Sequence, residues 1–339
     1  MKLRLFIIAF PAIILGALFS SCKEKETTKA FMDGTLIVEH KMPSYVNPGQ
    51  KYTFTPSGIT APDGTDVGYS FSFPPTGLRD TLKNGAGSFV FVVPDTLGTF
   101  SVNFSAFPVQ SSDLFYSSSG SYSFVIVSDD PQNGSVSGLA LHSGDERVTI
   151  EGREYYLSES MGACWLQSNL CIVRTDTDGN ELFGRSYENC SAMRNVFGAY
   201  YTWEEAMTVC PSGWHLPSEA EWVALLKAVG APADLAPLQD SPCGAGKLMA
   251  KASFNRSPMW DYYRGVDIQD VTFGAIPVGY ARKSGNGYSF YGYSKYACFW
   301  TSDEYNGKAV YRYIHEQTDN VFVGTADKQV FAASVRCVK

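Results

Sequence analysis

From about Gly34 to Ser128, apolar residues fall on every second position. Tyr69, Phe71 and Phe73 alternate with small or polar residues, as do Phe89, Phe91 and Val93; Phe100, Val102 and Phe104; and Tyr122, Phe124 and Ile126. Successive side chains of a strand point to opposite faces, so this period predicts strands with one buried and one solvated face. Asn47-Pro48-Gly49, Pro62-Asp63-Gly64 and Asn84-Gly85 punctuate the runs as turns. With no helical run between them, residues 34–128 are expected to form an antiparallel β-sandwich acting as a spacer. The polar stretch Asp129-Asp130-Pro131-Gln132-Asn133-Gly134-Ser135 predicts a linker over 129–136, and a second domain is expected over 137–339.

The pattern changes in that second half. Trp222, Leu225, Leu226 and Val229 recur at helical spacing, Ser218 and Glu221 form a capping box before them, and Gly230 stands where a C-terminal cap belongs. Thr202 with Glu205 marks a second, shorter helix. Residues 231–339 read mostly as strands and aromatic loops, so the domain is expected to be α+β and the whole chain β-rich.

The helix-start window Cys210-Pro211-Ser212-Gly213-Trp214-His215-Leu216-Pro217-Ser218-Glu219-Ala220-Glu221-Trp222 is one of six ordered motifs. The others are Trp165-Leu166-Gln167-Ser168-Asn169-Leu170, Gly198-Ala199-Tyr200-Tyr201-Thr202-Trp203, Gly246-Lys247-Leu248, Phe273-Gly274-Ala275-Ile276-Pro277-Val278-Gly279-Tyr280 and Ser334-Val335-Arg336-Cys337-Val338-Lys339. Together they resemble the Fibrobacter succinogenes major paralogous domain from about Val148 to Lys339. That resemblance implies a relative of the C-type-lectin-like fold and of the formylglycine-generating-enzyme fold. It also implies a disulfide between Cys210, at the end of the first helix, and Cys337, beside the end of the domain. The first half resembles immunoglobulin-like modules of bacterial surface proteins, without a cysteine to join its sheets.

The first residues carry their own signal. Lys2 and Arg4 precede an apolar run from Leu5 to Phe19 that Pro11 interrupts, too short for a comfortable membrane span. The small residues before Cys22 resemble a bacterial lipobox. Residues 1–21 are therefore expected to be a lipoprotein signal peptide, Cys22 the lipid-modified first residue, and residues 22–33 a solvated tether. The Lys/acidic run behind Cys22 resembles export signals of Bacteroidetes lipoproteins and implies a lipid-anchored, surface-exposed protein of the outer membrane. A formal charge of −7 with no basic stripe argues against nucleic acid as a partner. Export also favours disulfides, yet seven of the eight cysteines follow Cys22 and seven is odd. The pairing of Cys164, Cys171, Cys190, Cys243 and Cys298 stays open.

Catalytic signals are weak. Formylglycine-generating chemistry needs a reactive cysteine pair near the domain's end, where only Cys337 follows Cys298. Asp176, Asp178 and Asn180 alternate like calcium ligands, but Gly179 is misplaced for such a loop and reads as a hairpin turn. Gly244-Ala245-Gly246-Lys247 lacks the Ser or Thr that would hold magnesium. His40, His142, His215 and His315 show no ligand spacing, and His215 is expected to be structural. Neither a cofactor nor a metal is expected, and the chain is read as non-enzymatic. Its aromatic stretch supplies the binding candidates Trp260, Tyr262, Tyr263, Tyr288, Tyr291, Tyr293 and Tyr296. Tyr288, Tyr291 and Tyr293 are the favoured surface set, whereas Tyr280, Phe299 and Trp300 are expected in the core. The expected function is an adhesin-like recognition head for a glycan or an extracellular or envelope protein. The alternatives are a self-associating structural component of the envelope and a diverged formylglycine-generating-like enzyme.

Overall fold

The computed structural model describes residues 28–110, 112–130, 133–139, 146–158, 163–261, 266–269 and 273–339. Residues 1–21, expected as a signal peptide, together with Cys22, Tyr262 and Tyr263, lie outside the described residues. The chain is β-rich, and no helix among the described residues is long and apolar enough to cross a membrane.

The alternating half forms ten strands: β1 (Ala30–Phe31), β2 (Asp33–Glu39), β3 (Tyr45–Val46), β4 (Lys51–Thr60), β5 (Val67–Phe73), β6 (Leu78–Leu82), β7 (Phe89–Val92), β8 (Gly98–Pro108), β9 (Phe115–Tyr116) and β10 (Ser118–Ile126). One sheet has the order β2-β4-β7 and the other β3-β10-β8-β5-β6. Phe71 sits opposite Phe104 in the ladder and Phe100 opposite Phe124, so each strand's apolar positions share one face. Those faces meet. Phe54 of the first sheet lies 5.1 Å from Phe104 of the second, and Phe91 lies 5.1 Å from Phe73. Offset and tilted rings at such separations are the favoured aromatic geometry, and burying these rings is the main stabilising term of this half. Two short pairings, β1 with β9 and β3 with β10, run parallel rather than antiparallel. Both join segments distant in sequence, which alternation alone cannot orient.

In the stretch expected as a linker, Asp129, Asp130 and Asn133 are exposed, and its far end is tied back. Ser135 is buried and exchanges bonds with Ser128: its N–H donates to the Ser128 carbonyl, and its Oγ accepts from the Ser128 N–H. Asn47 donates to the Val127 carbonyl, Asn255 to the Ile126 carbonyl and Asn195 to Asp129. Tyr45 meets Tyr187 edge-on at 5.8 Å.

Beyond it come β11 (Val136–Ser137), β12 (Arg147–Ile150), β13 (Arg153–Ser158), β14 (Trp165–Leu166), β15 (Arg174–Thr175) and β16 (Glu181–Phe183). The helices are α1 (Arg194–Phe197), α2 (Trp203–Val209), α3 (Glu219–Ala228) and α4 (Ala245–Leu248). The remaining strands are β17 (Ser253–Phe254), β18 (Ser257–Pro258), β19 (Tyr280–Ser284), β20 (Gly287–Tyr291), β21 (Tyr296–Tyr305), β22 (Lys308–His315), β23 (Val321–Ala326) and β24 (Phe331–Ala332). Both expected capping boxes form, Thr202 with Glu205 on α2 and Ser218 with Glu221 on α3. Each satisfies two otherwise orphaned N–H groups.

A disulfide joins Cys210, just past α2, to Cys337, with Cα atoms 5.8 Å apart. Around it the last residues thread through the domain: Val338 bridges both Trp165 and His215, and the Leu166 N–H donates to the Cys337 carbonyl. Arg336 is fully buried, with no carboxylate paired to it among the described residues. Its guanidinium donates to Asn169 Oδ1 and to the carbonyls of Leu166, Phe273 and Gly274 at 2.6–3.1 Å, between the rings of Phe273 and Phe299. Burial pushes its pKa down to about 9, which still leaves it charged at neutral pH. Three sequence motifs thus converge on one cation. Trp165, Trp222, Phe273 and Phe299 close the same core.

Candidate functional site

The expected tyrosine patch divides. β19 and β20 form a hairpin in which Lys283 pairs with Tyr288 and Tyr280 with Tyr291. Tyr288 and Tyr291 differ in strand parity, so they point to opposite faces. Tyr288 is half-buried beneath the Arg185 guanidinium, 4.7 Å from its ring. Tyr293 departs further from expectation: it stacks on Phe197 at 5.5 Å and packs against Phe254 and Tyr187. Gly292 and Ser294 both take positive φ, which turns the loop inward, and the Ser294 N–H donates to the Pro277 carbonyl. Burial, with a contribution from Asp261, pushes the Tyr293 hydroxyl up to about 12. Trp260 is likewise a core residue. Its indole N–H donates to the Ala250 carbonyl, and its ring walls a cavity of about 440 Å³ that Lys251 and Asp267 also line.

Tyr291 and Tyr296 instead join a strip that the sequence reading did not assemble. Tyr291 stacks on Tyr280 (5.7 Å), Tyr280 on Phe331 (5.0 Å) and Phe331 on Tyr311 (4.8 Å). Tyr311 then meets Tyr313 (5.7 Å), and Tyr313 stacks on Phe322 (5.0 Å). Tyr296 flanks this row, 6.2 Å from Tyr313 and 4.7 Å from His315. Phe331 is buried and Tyr291 is exposed, while Tyr280, Tyr296, Tyr311, Tyr313, His315 and Phe322 are half-buried.

The sheet β21-β22-β23 builds most of it. Tyr311, Tyr313 and His315 alternate along β22 with Arg312 and Ile314, which face the opposite core. Gly324 stands opposite Tyr311, and a Cβ there would come within 2.3 Å of the Tyr311 ring. The phenol therefore lies flat over the glycine backbone. Burial raises the hydroxyl pKa of Tyr280, Tyr311 and Tyr313, so each remains a neutral hydrogen-bond donor at physiological pH. Flat rings with neutral hydroxyls at their rims can stack on a planar or sugar-ring partner while donating to its polar edge.

The other motifs are occupied internally. The Asp319 carboxylate accepts from the N–H groups of Gly244 and Gly246 and fills the turn of the Gly244–Lys247 motif. Asp176 accepts from the backbone of Asp178 and Asn180 and from the Asn180 side chain, which hold its carboxyl below the ordinary range and close the β15–β16 turn. Asp303 accepts from the Glu219 N–H at the start of α3. His215 Nε2 lies 2.8 Å from Glu221 Oε1, beside the capping box. Among the described residues, no three His, Cys, Asp or Glu side chains are grouped to hold a metal ion.

No curated protein matches this chain. The model of the Fibrobacter succinogenes major domain matches residues 161–339, more than half of the length, and takes in α1 to α4, the Cys210–Cys337 bridge and the whole aromatic strip. The chain therefore belongs to the Fibrobacter succinogenes major domain family.

Proposed function

We propose that this chain is a lipid-anchored cell-surface protein with a non-catalytic recognition head. Cys22 carries the lipid, the two-sheet half serves as an immunoglobulin-like spacer, and the second half is a C-type-lectin-like domain that binds a glycan. The observation that carries the reading is the row Tyr291–Tyr280–Phe331–Tyr311–Tyr313–Phe322, rings on two sheets that meet at the buried Phe331 and leave the others half-open or exposed. Open aromatic surface of this kind is characteristic of recognition sites. The non-catalytic reading is supported by Cys337, whose sulfur is bonded to Cys210 and unable to join a reactive pair.

A glycan-binding screen with the chain from residue 23 onward tests this, followed by Tyr291→Ala and Tyr313→Ala. Each substitution should weaken binding roughly tenfold or more, the size expected for truncating an interface anchor worth about 1.4–2 kcal/mol. Absence of any glycan ligand, together with concentration-dependent self-association that Tyr313→Ala abolishes, would replace this reading with a structural envelope role. Protease treatment of intact cells checks the location. Complete protection of the head would remove surface exposure from the proposal.

A further inference from the structure

The end of the molecule nearest Cys22 carries apolar surface that the strand pattern does not use. Parity in the β1–β9 pair sends Met32 and Phe115 into the aromatic core and leaves Phe31 and Tyr116 facing outward. Phe31 is 78% exposed, Tyr116 47% and Leu114 42%. The Phe31 and Tyr116 rings lie 5.2 Å apart, so they form one surface rather than two scattered side chains. Lys29 borders it, with Nζ 5.9 Å from the Tyr116 ring and donating to the Ser112 carbonyl at 2.9 Å. An ammonium has three donors, so one such bond does not exhaust it.

We infer that this face rests on the lipid surface in which the chain is anchored. The inference builds on the proposed lipid at Cys22. Only nine peptide units separate Cys22 from Phe31, a reach of at most about 30 Å, so the face can never leave the neighbourhood of the membrane. Aromatic rings bordered by a lysine match the chemistry of a headgroup boundary, where the ring body enters the apolar edge and the ammonium meets phosphate. An acyl anchor fixes distance, and a second contact fixes orientation. Exposed Val90 lacks this placement. Val90 sits on β7 opposite Thr53, roughly 23 Å along β4 from the Thr60 end that adjoins β1.

The test uses the chain from residue 23 onward, tethered through an N-terminal hexahistidine tag to phosphatidylcholine vesicles containing a nickel-chelating lipid. Phe31→Trp and, separately, Val90→Trp report on depth through quenching by lipids brominated near the headgroup, with the unsubstituted chain as background. Quenching at position 31 should exceed that at position 90 at least twofold, and Tyr116→Trp should behave like Phe31→Trp. Equal quenching at positions 31 and 90 would overturn the inference. So would a concentration-dependent emission shift of Phe31→Trp without vesicles, which would mean that a second copy covers this face. Lipid on Cys22 is read independently, by mass spectrometry of the cell-made chain beside Cys22→Ser. Its absence would remove the anchor whatever the quenching shows.

Discussion

Arg336 shows how one side chain can organise a domain. Its worth lies in the four acceptors it satisfies at once. Arg336→Met keeps much of the volume but strands Asn169 Oδ1 and three carbonyls in an apolar core. Each stranded buried acceptor costs about 1–3 kcal/mol, so a total loss of about 3 kcal/mol or more is expected, lowering Tm by roughly 10 °C. A thermal scan showing a drop under about 2 °C would mean that water replaces the guanidinium. The sequence marked Arg336 only as part of a motif, because its partners lie as far as 170 residues away. Tyr311 and Tyr313 escaped notice for a related reason. Val310-Tyr311-Arg312-Tyr313-Ile314-His315 alternates plainly, but a strand with apolar residues at both parities does not say which face remains half-open.

At the scale of elements, local signals were legible and long-range ones were not. Both helices begin where Thr202 and Ser218 place them, since a capping box is a contact within four residues. On α3 the box is coupled to His215. Burial by itself would raise the Glu221 carboxyl, but hydrogen bonds from Ser218 and His215 outweigh it and hold the group below its ordinary range. A depressed carboxyl contributes stability above its unfolded pKa and loses it as pH falls through the folded value. Glu221→Gln keeps a cap but forgoes the charge, so its Tm should fall below the parent's near pH 7. Differential scanning calorimetry from pH 7 to 3 should show that gap closing; a gap that widens in acid would contradict the assignment. The β19–β20 hairpin teaches the converse. Its glycines and aromatic residues read as a loop, whereas they form two paired strands; the odd, three-residue separation of Tyr288 and Tyr291 decides which ring reaches the strip, and register comes only from pairing.

Across the molecule, the two-sheet half was the most legible because alternation along a strand directly encodes which residues are buried. The burial of Ser135 was not, since a serine in a polar run reads as solvated until its partner Ser128 is known. The Cys210–Cys337 bridge spans 127 residues and should contribute about 2–5 kcal/mol. Replacing both cysteines by Ser should lower the unfolding free energy by that amount, read as a lower denaturant midpoint, and the native protein should yield the linked peptide by mass spectrometry; an unchanged midpoint would assign the stability to packing alone. The threading of the last residues has a consequence in time. Arg336 and its acceptor Leu166 are 170 residues apart, so at about 5–20 residues per second the early part of the head waits roughly ten to thirty seconds for its keystone. A nascent chain of this design cannot close this core until Arg336 emerges, and its tryptophans stay open to aggregation for that interval.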